Sequence, residues 1–240
     1  MALDYRGPVA QLMLALRDRF ELRDFVETGT FEGTTAAWAA RAFERVTSIE
    51  LSAELHRRAA ARHAGEPRIQ FLQGHSRECL ADVVASLEGP ALFWLDGHYS
   101  GGETAGEADE CPVLDEIAAI DASDAEHFLF VDDARLFLCP PPAPHRADQW
   151  PSIGELVAAL QARREVGIVV LDDVIIRVPA YARDFLSARC QEVATERASA
   201  AANPPDESEA APRWRRRLER VVTTIRGVAA APEPRRRRRP

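Results

Sequence analysis

The sequence predicts an α/β fold: a doubly wound, mostly parallel sheet that ends in an antiparallel hairpin. Three observations carry that expectation. Five short apolar runs alternate with helix-length segments, the pattern of repeated βαβ units. FVETGTFEGTTAAW, residues 25–38, passes from an apolar strand through a glycine turn into a helix, the junction at which open α/β sheets hold nucleotide ligands. Near the end, GIVVLDDVIIRV holds two β-rich runs separated only by Asp172 and Asp173, which signals a hairpin.

The elements follow in order. An amphipathic helix spans residues 8–19 and opens at Pro8, where a missing N–H is harmless. Arg17, Asp18 and Arg19 interrupt its apolar run, so it fits neither a signal peptide nor a membrane span. Strands are read at Asp24–Thr28, Arg45–Glu50, Arg68–Gly74, Ala91–Asp96 and His127–Asp132, parallel because helices connect them. SIGELVAALQARR begins with Ser152 and carries Glu155 three residues on, a capping box. The hairpin pairs Gly167–Leu171 with Val174–Val178. Beyond Pro179, YARDFLSARCQEVATERA can form one more helix, AAANPPDESEAAP is a linker too polar to pack, and WRRRLERVVTTIRGV can form a short basic helix before the disordered APEPRRRRRP. The folded domain is drawn at residues 1–190, with 191–240 as a disordered Pro/Ala/Arg-rich tail.

Charge and composition limit the partners. The 240-residue chain carries −8 overall, while residues 213–240 hold eleven arginines against Glu219 and Glu233, a local +9, and the difference leaves −17 on the first 212 residues. A body of that sign repels a phosphate backbone, which argues against nucleic acid as substrate unless the tail alone recruits it. The tail itself reads as a solvated appendage. The chain has no lysine, so no lysine serves as base, Schiff-base former or phosphate clamp. Cys79, Cys111, Cys139 and Cys190 lie far apart without a CxxC pair, which points to neither a zinc knot nor a disulfide framework. A cytoplasmic protein with a small-molecule substrate and no membrane span is the expectation; the oligomeric state stays open, a homodimer included.

The opening motif narrows the ligand. Its pattern is Glu27-x-Gly29-x-x-x-Gly33, not the GxGxxG of dinucleotide sites, and the acidic residue precedes the glycines. A carboxylate beside that turn suits a ligand with positive charge rather than a pyrophosphate. VTSIE then ends the second strand with Glu50, where an acidic residue accepts the hydroxyls of a ribose. A cofactor with a ribose, an adenine and a cationic end satisfies both.

ETGTFEGTT, IELS, FLQGHS, FWLDGHYSGGET and FVDDARLF, in this order and followed by WPSIGEL and the hairpin, resemble the class I S-adenosylmethionine-dependent methyltransferases. Within that superfamily they resemble the small-molecule branch of metal-dependent macrolide and aminocoumarin sugar O-methyltransferases, over residues 20–180. The resemblance implies a Rossmann-like methyltransferase sheet and S-adenosylmethionine as cofactor. It places Glu27 and Gly29 against the methionine part, Glu50 at the ribose and His75 with Ser76 near the adenine, and counts Thr28, Thr30, Gly33, Thr34, Leu51 and Asp96 among the cofactor-binding residues. Many relatives carry an acidic residue where His75 stands. The implied activity is O-methylation of a small hydroxylated metabolite or sugar. Two alternatives stand beside it: a methyltransferase of nucleic acid or protein recruited by the arginine tail, and a non-catalytic cofactor-binding relative. The acidic body and the lack of an NPPY-type strand end weigh against the first.

Asp96 closes the fourth strand and Asp132-Asp133 the fifth, and adjacent parallel strands present their carboxyl ends to one crevice. Three convergent carboxylates suit a hard divalent ion such as Mg²⁺ or Mn²⁺, and the resemblance points the same way. The alternative leaves one aspartate capping a loop and Asp96 touching only the cofactor. For the base that takes the hydroxyl proton, His98 in DGHYS comes first and Asp133 second. Residues 100–112 are acidic and glycine-bearing enough for a lid, and residues 138–151 bring Arg135, His145 and Trp150 toward the site. Their chemistry points to a polar, hydroxyl-bearing substrate.

Overall fold

Apolar runs too short for helices and bounded by turn residues become the strands, and the longer segments between them become helices. The structure, a computed structural model, describes residues 3–101 and 105–202. The order is α1 (Pro8–Phe20), β1 (Asp24–Thr28), α2 (Thr34–Ala39), β2 (Arg45–Glu50), α3 (Ala53–Arg62), β3 (Ile69–Gln73), α4 (Ser76–Ser86) and β4 (Ala91–Leu95), then α5 (Val113–Asp121), β5 (Phe128–Val131), α6 (Arg135–Leu138), α7 (Ile153–Gln161), β6 (Val166–Leu171), β7 (Val174–Pro179) and α8 (Arg183–Ala202). All seven strands foreseen from sequence are present. β1 and β2 have the foreseen bounds, while β4 and β5 stop just short of Asp96 and Asp132.

The sheet runs β3-β2-β1-β4-β5-β7-β6. β1 pairs parallel with β2 and β4, and β4 with β5. Every residue of β1, β4 and β5 is buried, as strands must be when both sheet faces are covered. β7 enters antiparallel between β5 and β6, with Phe130 opposite Ile176 and Val169 opposite Ile176 on the other side. Asp172 and Asp173 have φ of 48° and 65°, the left-handed pair that a two-residue hairpin turn requires. One face of the sheet packs Val26, Phe93, Leu129 and Ile175 against α4, α5 and α7 through Leu80, Ile117 and Leu156. On the other, Phe25 meets Trp38 and Phe43.

The capping box is formed: Ser152 Oγ accepts from the Glu155 N–H at 3.3 Å, and Glu155 Oε2 accepts from the Ser152 N–H at 2.8 Å. At the far end of the sheet, Arg177 is 2% exposed and donates to both oxygens of buried Asp121, at 2.7 and 3.0 Å.

The chain divides into two units, Met1–Glu192 and Val193–Pro240. The whole sheet belongs to the first. Of the second, only the end of α8 lies among the described residues; that helix continues past residue 190 to Ala202, since alanine-rich QEVATERASAAA favours helix over coil. The linker, basic helix and disordered end foreseen for 203–240 lie outside the described residues. Among those described, no helix is long and apolar enough to cross a membrane, and all four cysteines are free thiols.

Candidate functional site

Strand order reverses between β1 and β4, so their parallel carboxyl ends part and leave a crevice, the place where open α/β sheets bind ligands. Gly29 makes the crevice possible. It has φ of 85°, its N–H donates to the Ile49 carbonyl at 2.9 Å, and a Cβ there would lie 2.1 Å from the Asp96 carbonyl oxygen. Only glycine lets the two strand ends approach so closely. The resulting cavity has a volume of about 310 Å³ and is lined by Gly29, Glu50, Leu51, His75, Ser76, Asp96, His98 and Asp133 among others.

Glu50 is 6% exposed and faces this cavity. Its Oε2 accepts from the Phe31 N–H at 2.9 Å and its Oε1 from the Ser52 N–H at 2.8 Å. Each carboxylate oxygen has a second lone pair, so the anchored group keeps acceptor capacity for two further donors. His75 caps α4 through Nδ1, which accepts from the Arg77 N–H at 3.3 Å, and its Nε2 meets Asp109 Oδ2 at 3.2 Å.

The loop residues divide. Gly29 lines the cavity, but Glu27, Thr28, Thr30, Gly33 and Thr34 do not appear in its lining. Glu27 was expected to set a negative charge beside the ligand; instead it is fully buried beneath α2, on the sheet face it shares with Phe25. Ser48 Oγ donates to Glu27 Oε1 at 2.6 Å and Thr30 Oγ1 lies 2.5 Å from Ser48 Oγ, while Glu27 Oε2 has no partner. Burial, with Asp96 and Glu50 adding like charge, pushes this carboxyl up to about 8. Burial thus favours its neutral form. Thr34 Oγ1 accepts from the Tyr5 hydroxyl at 2.9 Å, and Gly33 opens α2 at φ of 73°. Thr28 is fully buried on the opposite face, close to Glu116 beneath Gly97. Glu116 is 1% exposed, its Oε1 lacks a partner, and burial raises its pKa. An acidic residue on the buried face of α5 had no signal in the sequence beyond that misplacement.

His98 joins the carboxylates at the strand ends. Its Nε2 lies 3.1 Å from Asp133 Oδ2 and its Nδ1 3.6 Å from Asp96 Oδ1, with the Trp150 ring 5.3 Å away. Arg135 Nη1 donates to Asp133 Oδ1 at 2.6 Å and also to Asp173. Burial opposes charge on Asp133, but the His98 and Arg135 hydrogen bonds hold its pKa well below the usual range. His98 loses hydration too, yet Asp133 and Asp96 raise its pKa above that of a free imidazole. Burial lifts Asp96 to about 7, and burial plus Asp133 lifts Asp132 to about 6.

The three aspartates do not converge as a cation site. Asp133 has φ of 58°, and this left-handed kink turns its side chain away from that of Asp132. Asp132 Oδ1 accepts from the Asp133 N–H at 2.8 Å, and the residue lines a separate cavity of about 450 Å³ with Trp94, Asp172 and Asp173. Asp133 already holds a guanidinium on one oxygen and an imidazole on the other. Among the described residues, no three His, Cys, Asp or Glu side chains are arranged to hold a metal. This donor set does not fit a Mg²⁺ or Mn²⁺ ion bound by Asp96, Asp132 and Asp133.

A second cavity, of about 610 Å³, shares His98, Ser100 and Asp133 with the first and extends along Tyr99, Leu136, Pro140, Pro142 and His145. Arg135 and His145 thus stand where the proline-rich segment was expected to bring them, and Trp150 lies behind His98. Polar side chains, among them Tyr99, Ser100 and His145, share the lining with Leu136 and the two prolines. Of the segment read as a lid, residues 102–104 lie outside the described residues.

No protein-family profile and no curated protein sequence matches the chain. Solved structures do. The O-methyltransferase TomG of Streptomyces achromogenes, involved in tomaymycin synthesis and in complex with S-adenosylmethionine, is 18% identical with a TM-score of 0.53, over 75% of this chain and 82% of its own. An O-methyltransferase from Bacillus cereus bound to S-adenosylhomocysteine is 16% identical with a TM-score of 0.56, over 75% and 82%. The Podospora anserina methyltransferase PaMTH1, also bound to S-adenosylhomocysteine, is 16% identical with a TM-score of 0.52, over 75% and 79%. At this identity the likeness is one of fold. The chain has the fold of the class I S-adenosylmethionine-dependent methyltransferases, closing hairpin included.

Proposed function

We propose that this chain is an S-adenosylmethionine-dependent methyltransferase whose acceptor is a hydroxyl of a small molecule. The observation that supports it most is Glu50, a buried carboxylate pinned by two backbone donors at the end of β2, with spare acceptor capacity facing the first cavity. In this reading Glu50 accepts from the ribose hydroxyls, His75 and Ser76 flank the adenine, and Gly29 and Asp96 border the methionine part. When bound, the cofactor supplies an electrophilic methyl group.

The chain's own residues would orient the acceptor and take its proton. The second cavity receives the acceptor, and His98 stands where the two cavities meet. In the neutral tautomer that donates Nε2–H to Asp133, the Nδ1 lone pair is the proton acceptor, as in a histidine oriented by a carboxylate. Asp133 then acts as the orienting group rather than as a second base, because both of its oxygens are engaged; Arg135 keeps it ionised. His98 gives up its own proton more readily when a cation fills the adjoining cavity. No step passes through a divalent ion, since the strand-end carboxylates are bound to Arg135 and His98 or turned to another cavity.

Isothermal calorimetry tests the reading. S-adenosylmethionine and S-adenosylhomocysteine should both bind, and Glu50→Ala should weaken binding by about 1–3 kcal/mol through loss of the ribose acceptor. No heat from either ligand would end the proposal; full affinity in Glu50→Ala would remove Glu50 from the site.

A further inference from the structure

Asp109 and Glu110 lie in a bend before α5, and their side chains find partners on different sides of it, between the two cavities. Asp109 lines the cofactor cavity and meets His75 Nε2 at 3.2 Å and Arg77 Nη2 at 2.8 Å, at the start of α4; Arg77 continues to Asp115 at 2.7 Å. Glu110 points the other way and is 2% exposed. Its carboxylate accepts from Trp150 Nε1 at 2.7 Å and from the Arg146 N–H at 3.0 and 3.1 Å, with His145 Nδ1 at 3.2 Å. Its backbone is tied as firmly: the N–H donates to Gln149 Oε1 at 2.8 Å, and the carbonyl accepts from the Tyr99 N–H at 2.7 Å.

The consequence lies in what these partners do. His145 and Tyr99 line the second cavity, their rings 5.9 Å apart, and Trp150 packs on both His98 and His145. A buried carboxylate with this many donors cannot shift without breaking several charge-assisted hydrogen bonds, which are roughly twice as strong as neutral ones. A displacement of Asp109 is therefore passed along one peptide unit to the wall of the second cavity.

We propose that Asp109 and Glu110 link the two cavities, so that occupation of the cofactor cavity sets the position of the 140–150 segment that walls the acceptor cavity. Glu110 is in this sense a positioning residue: it touches neither ligand and acts through Trp150, His145 and Arg146. In the sequence, residues 100–112 read as a lid, with no separate role for Glu110 within it. The inference rests on the cofactor assignment made above.

Hydrogen–deuterium exchange on the full chain, with and without S-adenosylhomocysteine, tests it. In the unaltered protein the ligand should slow exchange in residues 75–80, next to its cavity, and also in residues 140–150. In Glu110→Gln, calorimetry should give a dissociation constant within about threefold of the unaltered protein, while the slowing at 140–150 disappears and that at 75–80 remains. Trp150→Phe, which removes the Nε1–H donor together with part of the ring, leaves the Arg146 and His145 contacts to Glu110 and should reduce the remote effect by at least about half. Ligand binding without any change at 140–150, or an undiminished change in a folded Glu110→Gln or Trp150→Phe protein, overturns the link. Absence of calorimetric heat in the unaltered protein removes the cofactor reading and this inference together.

Discussion

Replacing Glu27 with glutamine should raise stability relative to the unaltered protein by an amount that grows with pH. Glu27 is fully buried, one oxygen accepts from Ser48 and the other has no partner, and burial raises its pKa from 4.5 to about 8. The sign follows from linkage: the folded state holds a proton that the unfolded state releases, so stability is fullest below 4.5 and falls as pH rises through about 8. Those two values make the unfavourable contribution about 1 kcal/mol at pH 5, about 3 at pH 7 and about 5 at pH 9. Glutamine keeps the acceptor for Ser48 and removes the titration; its two amide N–H groups, against the single O–H of the protonated acid, add a cost that does not change with pH, so the growth of the gap with pH is the quantity read. Urea unfolding of both proteins at the three pH values gives the difference directly, since all other titrating groups cancel. A gap that stays flat from pH 5 to pH 9 would refute the argument, because it would mean that Glu27 ionises in the folded protein as it does in the open chain.

Two further outcomes follow. Gly29→Ala should lose about 2 kcal/mol of stability or more, together with S-adenosylhomocysteine binding, because its Cβ would meet the Asp96 carbonyl at 2.1 Å; Gly65→Ala, with open space around it, is the control, and equal behaviour of the two would refute the packing account. The His98 imidazole should titrate above the ordinary histidine range in a proton NMR experiment, and Asp133→Asn should move it downward, since Asp133 is the nearer of its carboxylates. The pairing then stabilises the fold below the free imidazole value and fades as pH rises through the raised one; an unmoved resonance in Asp133→Asn would break the proposed orientation of the base.

The fold was legible because its signals are local. Ser152 and Glu155 specify a cap within four residues, and Asp172-Asp173 between two β-rich runs specifies a turn whose positive φ angles the structure displays. The alternation of short apolar runs and helices gave every strand. What a side chain faces is a different matter. Glu27 has the same place in the sequence whether it meets a ligand or lies under α2; the decision belongs to Phe25, Trp38 and Ser48, which arrive from three elements. Adjacency in Asp132-Asp133 implied two carboxylates in one crevice, but the kink at Asp133 sends them to separate cavities. Arg135 and Trp150 were read as close to the site, and they are, yet their partners Asp133 and Glu110 emerge only once the loops are folded together.

The place of β7 has a bearing on how the chain reaches its native state. This strand is buried along its whole length and lies between β5 and β6, although it is the last of the seven to be synthesised. Until residue 179 has emerged from the ribosome, β5 is an uncovered apolar edge, with Phe128, Leu129, Phe130 and Val131 offering unpaired backbone groups to any strand that approaches. Such a nascent chain is exposed to mispairing and to capture by chaperones for as long as it waits. Ribosome-bound chains cut short of the hairpin should therefore be sticky and protease-sensitive, and the pairing of β7 with β5, after the turn at Asp172-Asp173, is the event that ends that exposure.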